Sequence, residues 1–119
     1  MSPEKFVDNI RLVVRDQTVR DMMSILSKPP GRSPKRELLD ASVWFNSLDV
    51  ESRTKLEWII GRSVDSTVFG FLCVLDGVRA IEGIEDDAKL ILDYRTDSGA
   101  VRINDEASEI SLHDIYNAT

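Results

Sequence analysis

The stretch from Lys28 to Arg36, Lys-Pro-Pro-Gly-Arg-Ser-Pro-Lys-Arg, constrains the fold more than any other part of the chain. Proline lacks a backbone donor and its ring clashes with the preceding helical turn. Three prolines and a glycine in nine residues therefore stop any helix that arrives from the N-terminal side. Four basic side chains in the same segment favour water. The spacing predicts a flexible, basic, proline-rich loop over 28–36.

What precedes that loop reads as helix. Ser2-Pro3-Glu4 supplies an acceptor for the free amides, a residue suited to the first turn, and a negative charge at the positive helix end. Phe6, Ile10, Val13 and Val14 then recur at helical spacing, and Val19, Met22, Met23 and Leu26 resume it. The stripe falters at Asp16-Gln17-Thr18. It predicts one helix of about 24 residues with a shift of face, or two helices broken near Gln17.

Beyond the loop, Leu38-Leu39 and Val43-Trp44-Phe45 form a short apolar cluster, and Asp49 with Glu51 marks the start of the main helix. Leu56, Ile59, Ile60, Val64, Val68, Phe71, Leu72 and Leu75 trace a broad stripe, expected to be the core. Val68 to Leu75, then Asp76-Gly77, then Val78 to Ile81 also fits a hairpin. The helical period survives the polar breaks at Arg62-Ser63 and Asp65-Ser66-Thr67, which favours helix.

Past the acidic loop from Gly83 to Asp87, Leu90, Leu92 and Tyr94 alternate with Ile91, Asp93 and Arg95. Thr96-Asp97-Ser98-Gly99 is a turn, and Val101 and Ile103 alternate on the return, so this is a hairpin. Ser111-Leu-His-Asp114 resembles a capping box that opens a short helix through Leu112, Ile115 and Tyr116. The fold class is α+β. Long N-terminal and central helices pack on a small antiparallel hairpin, and a short C-terminal helix follows. At 119 residues, positions 1–119 are expected to form a single small globular domain.

Composition narrows the functional classes. With 42% hydrophobic and 30% charged residues the chain is an ordinary globular sequence. No uninterrupted apolar run reaches the roughly 18–20 residues of a membrane span, and the N-terminus has no apolar signal core. One cysteine, Cys73, leaves no internal disulfide and fits a reducing compartment, so a cytoplasmic, bacterial-type protein is expected. Residues 64–119 hold 4 Lys/Arg against 12 Asp/Glu, whereas residues 1–63 hold 11 against 9. A half so acidic repels phosphate backbones, which argues against nucleic acid.

The usual chemical equipment is thin. A single His and a single Cys cannot build a four-ligand structural zinc site within one chain. Neither phosphate-binding glycine signature occurs, and Asp93 to Gly99 misplaces both ligands and glycine for a calcium loop. His113 beside Asp114 makes a poor dyad, because adjacent helix residues point about 100° apart. Cys73 lies in an apolar run, where a buried thiol with a raised pKa is expected. No metal, cofactor or catalytic residue is assigned, and no enzyme activity is expected.

The expected function is therefore protein binding. A small acidic immunity-type inhibitor, which masks a toxin or other basic enzyme, fits best. Its contact residues are expected to be Glu82, Glu85, Asp86, Asp87, Asp93, Asp97, Asp105 and Glu106 for charge, with Trp44, Tyr94 and Tyr116 as anchors. The alternatives are an oligomeric structural or adaptor subunit, such as a homodimer formed through the hairpin edge or the first helix, and a cofactor-free carboxylate enzyme.

Overall fold

The structure, a computed structural model, describes residues 1–81 and 88–118. It is α+β: five α-helices and one π-helical segment accompany a single hairpin among the described residues. Helix α1 spans Pro3–Ile10, a π-helical segment Arg11–Asp16, and α2 Gln17–Ser27. Helix α3 spans Arg36–Ser47 and α4 Val50–Leu75. Strands β1 (Asp93–Thr96) and β2 (Gly99–Arg102) precede α5 (Leu112–Asn117).

Local chemistry explains the boundaries. Ser2 caps α1, its Oγ accepting from the Lys5 amide at 3.1 Å. The shift of face expected near Gln17 is produced a few residues earlier by the π-helical segment, whose wider turn rotates everything after it. Val13 and Val14 consequently leave the stripe and are exposed, whereas Val7 and Val19 on either side are buried. The proline loop ends α2 as expected, and Gly31 within it takes a positive φ of 88° that glycine tolerates. The apolar cluster after the loop is itself a helix, α3. Asp49 accepts from the Ser52 amide at 2.8 Å and starts α4, which runs unbroken to Leu75. Helix is thus the outcome for Val68 to Leu75, and Asp76-Gly77 follows it as a turn.

The residues fall into two compact units, one comprising Met1–Leu12 with Ser66–Thr119, the other Val13–Asp65. In the first, α1 packs against α5, and the buried residues are Val7, Val68, Leu72, Cys73, Ile103, Leu112 and Tyr116. Leu72, at 2% exposure, is among the largest fully buried side chains. The hairpin joins this core at its base. Ile103 is buried and its amide donates to the Leu92 carbonyl at 2.8 Å, while Asn104 Nδ2 donates to the Leu75 and Leu90 carbonyls, each at 2.8 Å. Beyond that anchor β2 is exposed along its whole length.

In the second unit α2 packs against α3 over Val19, Leu26 and Phe45. Asn46 ties the two helices by donating to the Ser27 carbonyl at 3.0 Å. Arg15 donates through Nε to Asp65 at 3.0 Å and through Nη1 to Asp16 at 3.2 Å. Its guanidinium occupies the space over Gly61, where an added Cβ would stand 2.7 Å from Nη2.

The expected stripe on α4 is only partly core. Gly61, Val68 and Leu72 are buried, whereas Ile59 and Phe71 are exposed. Half-buried Asp65 lies at helical spacing between buried Gly61 and buried Val68 and Leu72. With Trp58 also exposed, α4 is long and apolar enough to cross a membrane by length and composition alone, its mean hydropathy reaching 1.4 over 18 residues.

Candidate functional site

Two places in the first unit gather chemistry. One surrounds His113. The turn after α4 places the Asp76 carboxylate at the N-terminus of α5, where it accepts from the Leu112 amide at 3.2 Å and the His113 amide at 2.9 Å. Asp76 Oδ2 also accepts from His113 Nδ1 at 2.6 Å. The ring stands edge-on to Phe69, with centroids 5.6 Å apart. On its far side Nε2 lies 3.5 Å from Ser111 Oγ and 3.5 Å from an Asp114 oxygen.

A serine, a histidine and a buried carboxylate in this order resemble a hydrolytic triad, but the geometry does not fit that chemistry. Ser111 Oγ donates to Asp114 Oδ2 at 2.7 Å, which turns its proton away from His113. The first-turn amides, which an oxyanion would need, are already taken by Asp76. The arrangement is therefore a helix cap supplied from a distant turn. The Ser111–Asp114 pair expected as a capping box makes only its side-chain contact, and the amides are capped by Asp76 instead. The partner of His113 is thus Asp76, 37 positions away, which adjacency in sequence does not reveal.

The second place is the hairpin and the chain that follows it. Asp93 is ion-paired with Arg102 on the neighbouring strand, and that guanidinium holds its carboxyl below the usual value of 3.8. Glu106 is paired with Lys89 at 2.8 Å. Asp105 is exposed and accepts from the Ala107 amide at 3.0 Å, and Asp97 is exposed at the hairpin turn. Of these four expected contact acids, two are paired within the chain, whereas Asp97 and Asp105 form no salt bridge with a described residue, Asp105 still feeling the nearby Arg102 charge. Glu82, Glu85, Asp86 and Asp87 lie outside the described residues.

The expected anchors separate in the same way. Trp44 on α3 is 54% exposed and Tyr94 on β1 45% exposed. Tyr116 is 4% exposed and belongs to the core, with the Arg11 guanidinium 4.2 Å from its ring centroid. It has no surface to offer a partner. Its place in the sequence, one turn beyond buried Leu112, is the signal for that burial. Cys73 is buried as expected, and that burial pushes its thiol above the ordinary value. No group of metal-ligating side chains occurs among the described residues. No protein family, curated protein or solved structure matches the chain.

Proposed function

We propose that the protein acts by binding another protein whose surface is basic, in the manner of a small acidic immunity-type inhibitor that masks a toxin or other basic enzyme. The reading rests on one observation above the others: Asp97 and Asp105 are exposed and outside any salt bridge among the described residues, in a unit that carries 13 Asp/Glu against 6 Lys/Arg. The other unit, with 8 against 9, is nearly neutral. A one-sided field of this kind speeds encounter with an opposite charge and rejects like-charged partners. Anchoring falls to exposed aromatic residues, of which Trp44 and Tyr94 have surface to give. The side chains that resemble catalytic equipment are occupied in capping α5. Such an inhibitor acts in the cytosol.

The test uses the immobilised full chain and the D97K/D105K variant. Proteins retained by the wild type at low salt and released by a salt gradient are purified and rebound singly. Support is a basic protein that binds the wild-type chain and loses affinity for the variant. A purified partner that is acidic or neutral, or that binds both chains equally, overturns the reading.

A further inference from the structure

We propose that two copies of this chain pair through the open edge of β1, in antiparallel register about Tyr94, to form one continuous sheet. The proposal goes beyond the binding of a basic partner and stands independently of it.

The sheet consists of β1 and β2 alone, so the outer edge of β1 has no neighbouring strand among the described residues. Which backbone groups face that edge follows from the register. Asp93 is opposite Arg102, Tyr94 opposite Val101, and Arg95 opposite Ala100. The Ile103 amide bonds the Leu92 carbonyl, and hydrogen-bonded positions alternate along an antiparallel ladder. Tyr94 therefore bonds inward to Val101, and the amides and carbonyls of Asp93 and Arg95 point outward.

An antiparallel copy centred on Tyr94 sets Asp93 against Arg95 of the second copy, and Arg95 against its Asp93. These are the outward-facing residues, so each such pair exchanges both of its N–H···O bonds. The side chains agree with the backbone on both faces. On one face the row reads Arg102, Asp93, then Arg95 and Ala100 of the second copy, with a carboxylate between two guanidinium groups. On the other it reads Val101, Tyr94, Tyr94, Val101, and both residue types are already partly exposed apolar surface. Opposite charges and aromatic pairs directly across a ladder are the favourable cross-strand combinations. The β2 edge lacks this match: centring a copy on Val101 sets Arg102 against Ala100. The net charge of −6 on each copy opposes association at low salt, and physiological ionic strength screens it. In the pair Tyr94 is covered, which removes it from the exposed aromatic residues open to other partners, among them Trp44, Trp58 and Phe71.

The test is sedimentation equilibrium of the full chain from micromolar to millimolar concentration, with amide hydrogen exchange at both ends of that range. The expected result is a mass rising from 13.4 kDa toward twice that value, with Asp93 and Arg95 amides protected only at high concentration. Arg95→Pro removes an outward donor without breaking a bond inside the hairpin, and Arg95→Asp sets like charges against each other. Both variants are expected to stay monomeric with wild-type circular dichroism, while Arg95→Lys pairs as the wild type does. A monomer at every concentration overturns the proposal. So does a dimer that Arg95→Pro leaves intact, or one in which those two amides exchange freely.

Discussion

Asp76 and His113 meet twice: the carboxylate at the start of the turn after α4 accepts from both the His113 amide and the His113 ring. One acidic side chain thereby fixes where α5 begins and which way it runs. That helix carries Leu112 and Tyr116 into the core, so the placement of two buried side chains depends on a carboxylate far away in sequence.

Asp76→Ala should cost about 1.5–3 kcal/mol, since it strands amides bonded to a charged acceptor. His113→Ala removes the ring and leaves the amide contacts, so it should cost less. Urea unfolding of both variants checks the order. A larger loss for His113→Ala would show that ring packing against Phe69, and not the cap, holds the helix.

Leu72→Ala should lower stability by about 2–5 kcal/mol, as truncation of a large buried side chain does. Phe71→Ala, one residue earlier and exposed, should change stability by less than about 0.5 kcal/mol. Equal melting temperatures for the two variants would place the buried face of α4 elsewhere.

That contrast marks how far the sequence could be read. Periodicity located α4, the hairpin and α5, because those segments are long or flanked by strong turn signals. It misjudged which side of α4 is covered. Phe71 is as apolar as Leu72, and only the neighbours brought in from other elements decide between them. Val13 and Val14 failed for a different reason: a π-helical turn rotates the face by an amount that no residue there announces. Helix α3 was hidden because its apolar residues are clustered and half of them remain in water. At the site, the acidic balance of residues 64–119 was legible in composition. The internal pairing of Asp93 with Arg102, and the burial of Tyr116, depend on tertiary neighbours and were not.

Gly61 and Gly70 should respond oppositely to alanine. Each replacement gains about 1 kcal/mol of helix propensity. At Gly70 the new methyl group meets Nη1 of Arg79, the far end of an exposed, flexible side chain that swings away. At Gly61 it meets Arg15, which Asp65 and Asp16 hold in place. Gly70→Ala should raise the melting temperature and Gly61→Ala should not. A rise in both would mean that the Arg15–Asp65 pair contributes little.

Asp49 makes acid stability testable. Its carboxyl is held below the ordinary value of 3.8 by the Ser52 backbone amide, then by the Ser52 hydroxyl. A folded value below the unfolded one stabilises the fold above the unfolded pKa, and the benefit is lost as pH falls through the folded one. The stability difference between wild type and Asp49→Ala should therefore be full above the ordinary value of 3.8 and shrink as pH falls below it. A difference that stays constant as pH falls below 3.8 would remove the charged cap as a source of stability.

The exposed carboxylates of Asp97 and Asp105 are proposed to draw in a basic partner. That attraction is tested most directly by the association rate of that purified partner with the wild-type chain and with D97K/D105K, measured as the Debye length shrinks from about 30 Å at 0.01 M salt to about 3 Å at 1 M. The account predicts a wild-type rate that falls at least tenfold across the series. It predicts a variant that starts slower, depends less on salt, and dissociates at the wild-type rate. A rate that is the same for both chains and indifferent to salt would contradict it.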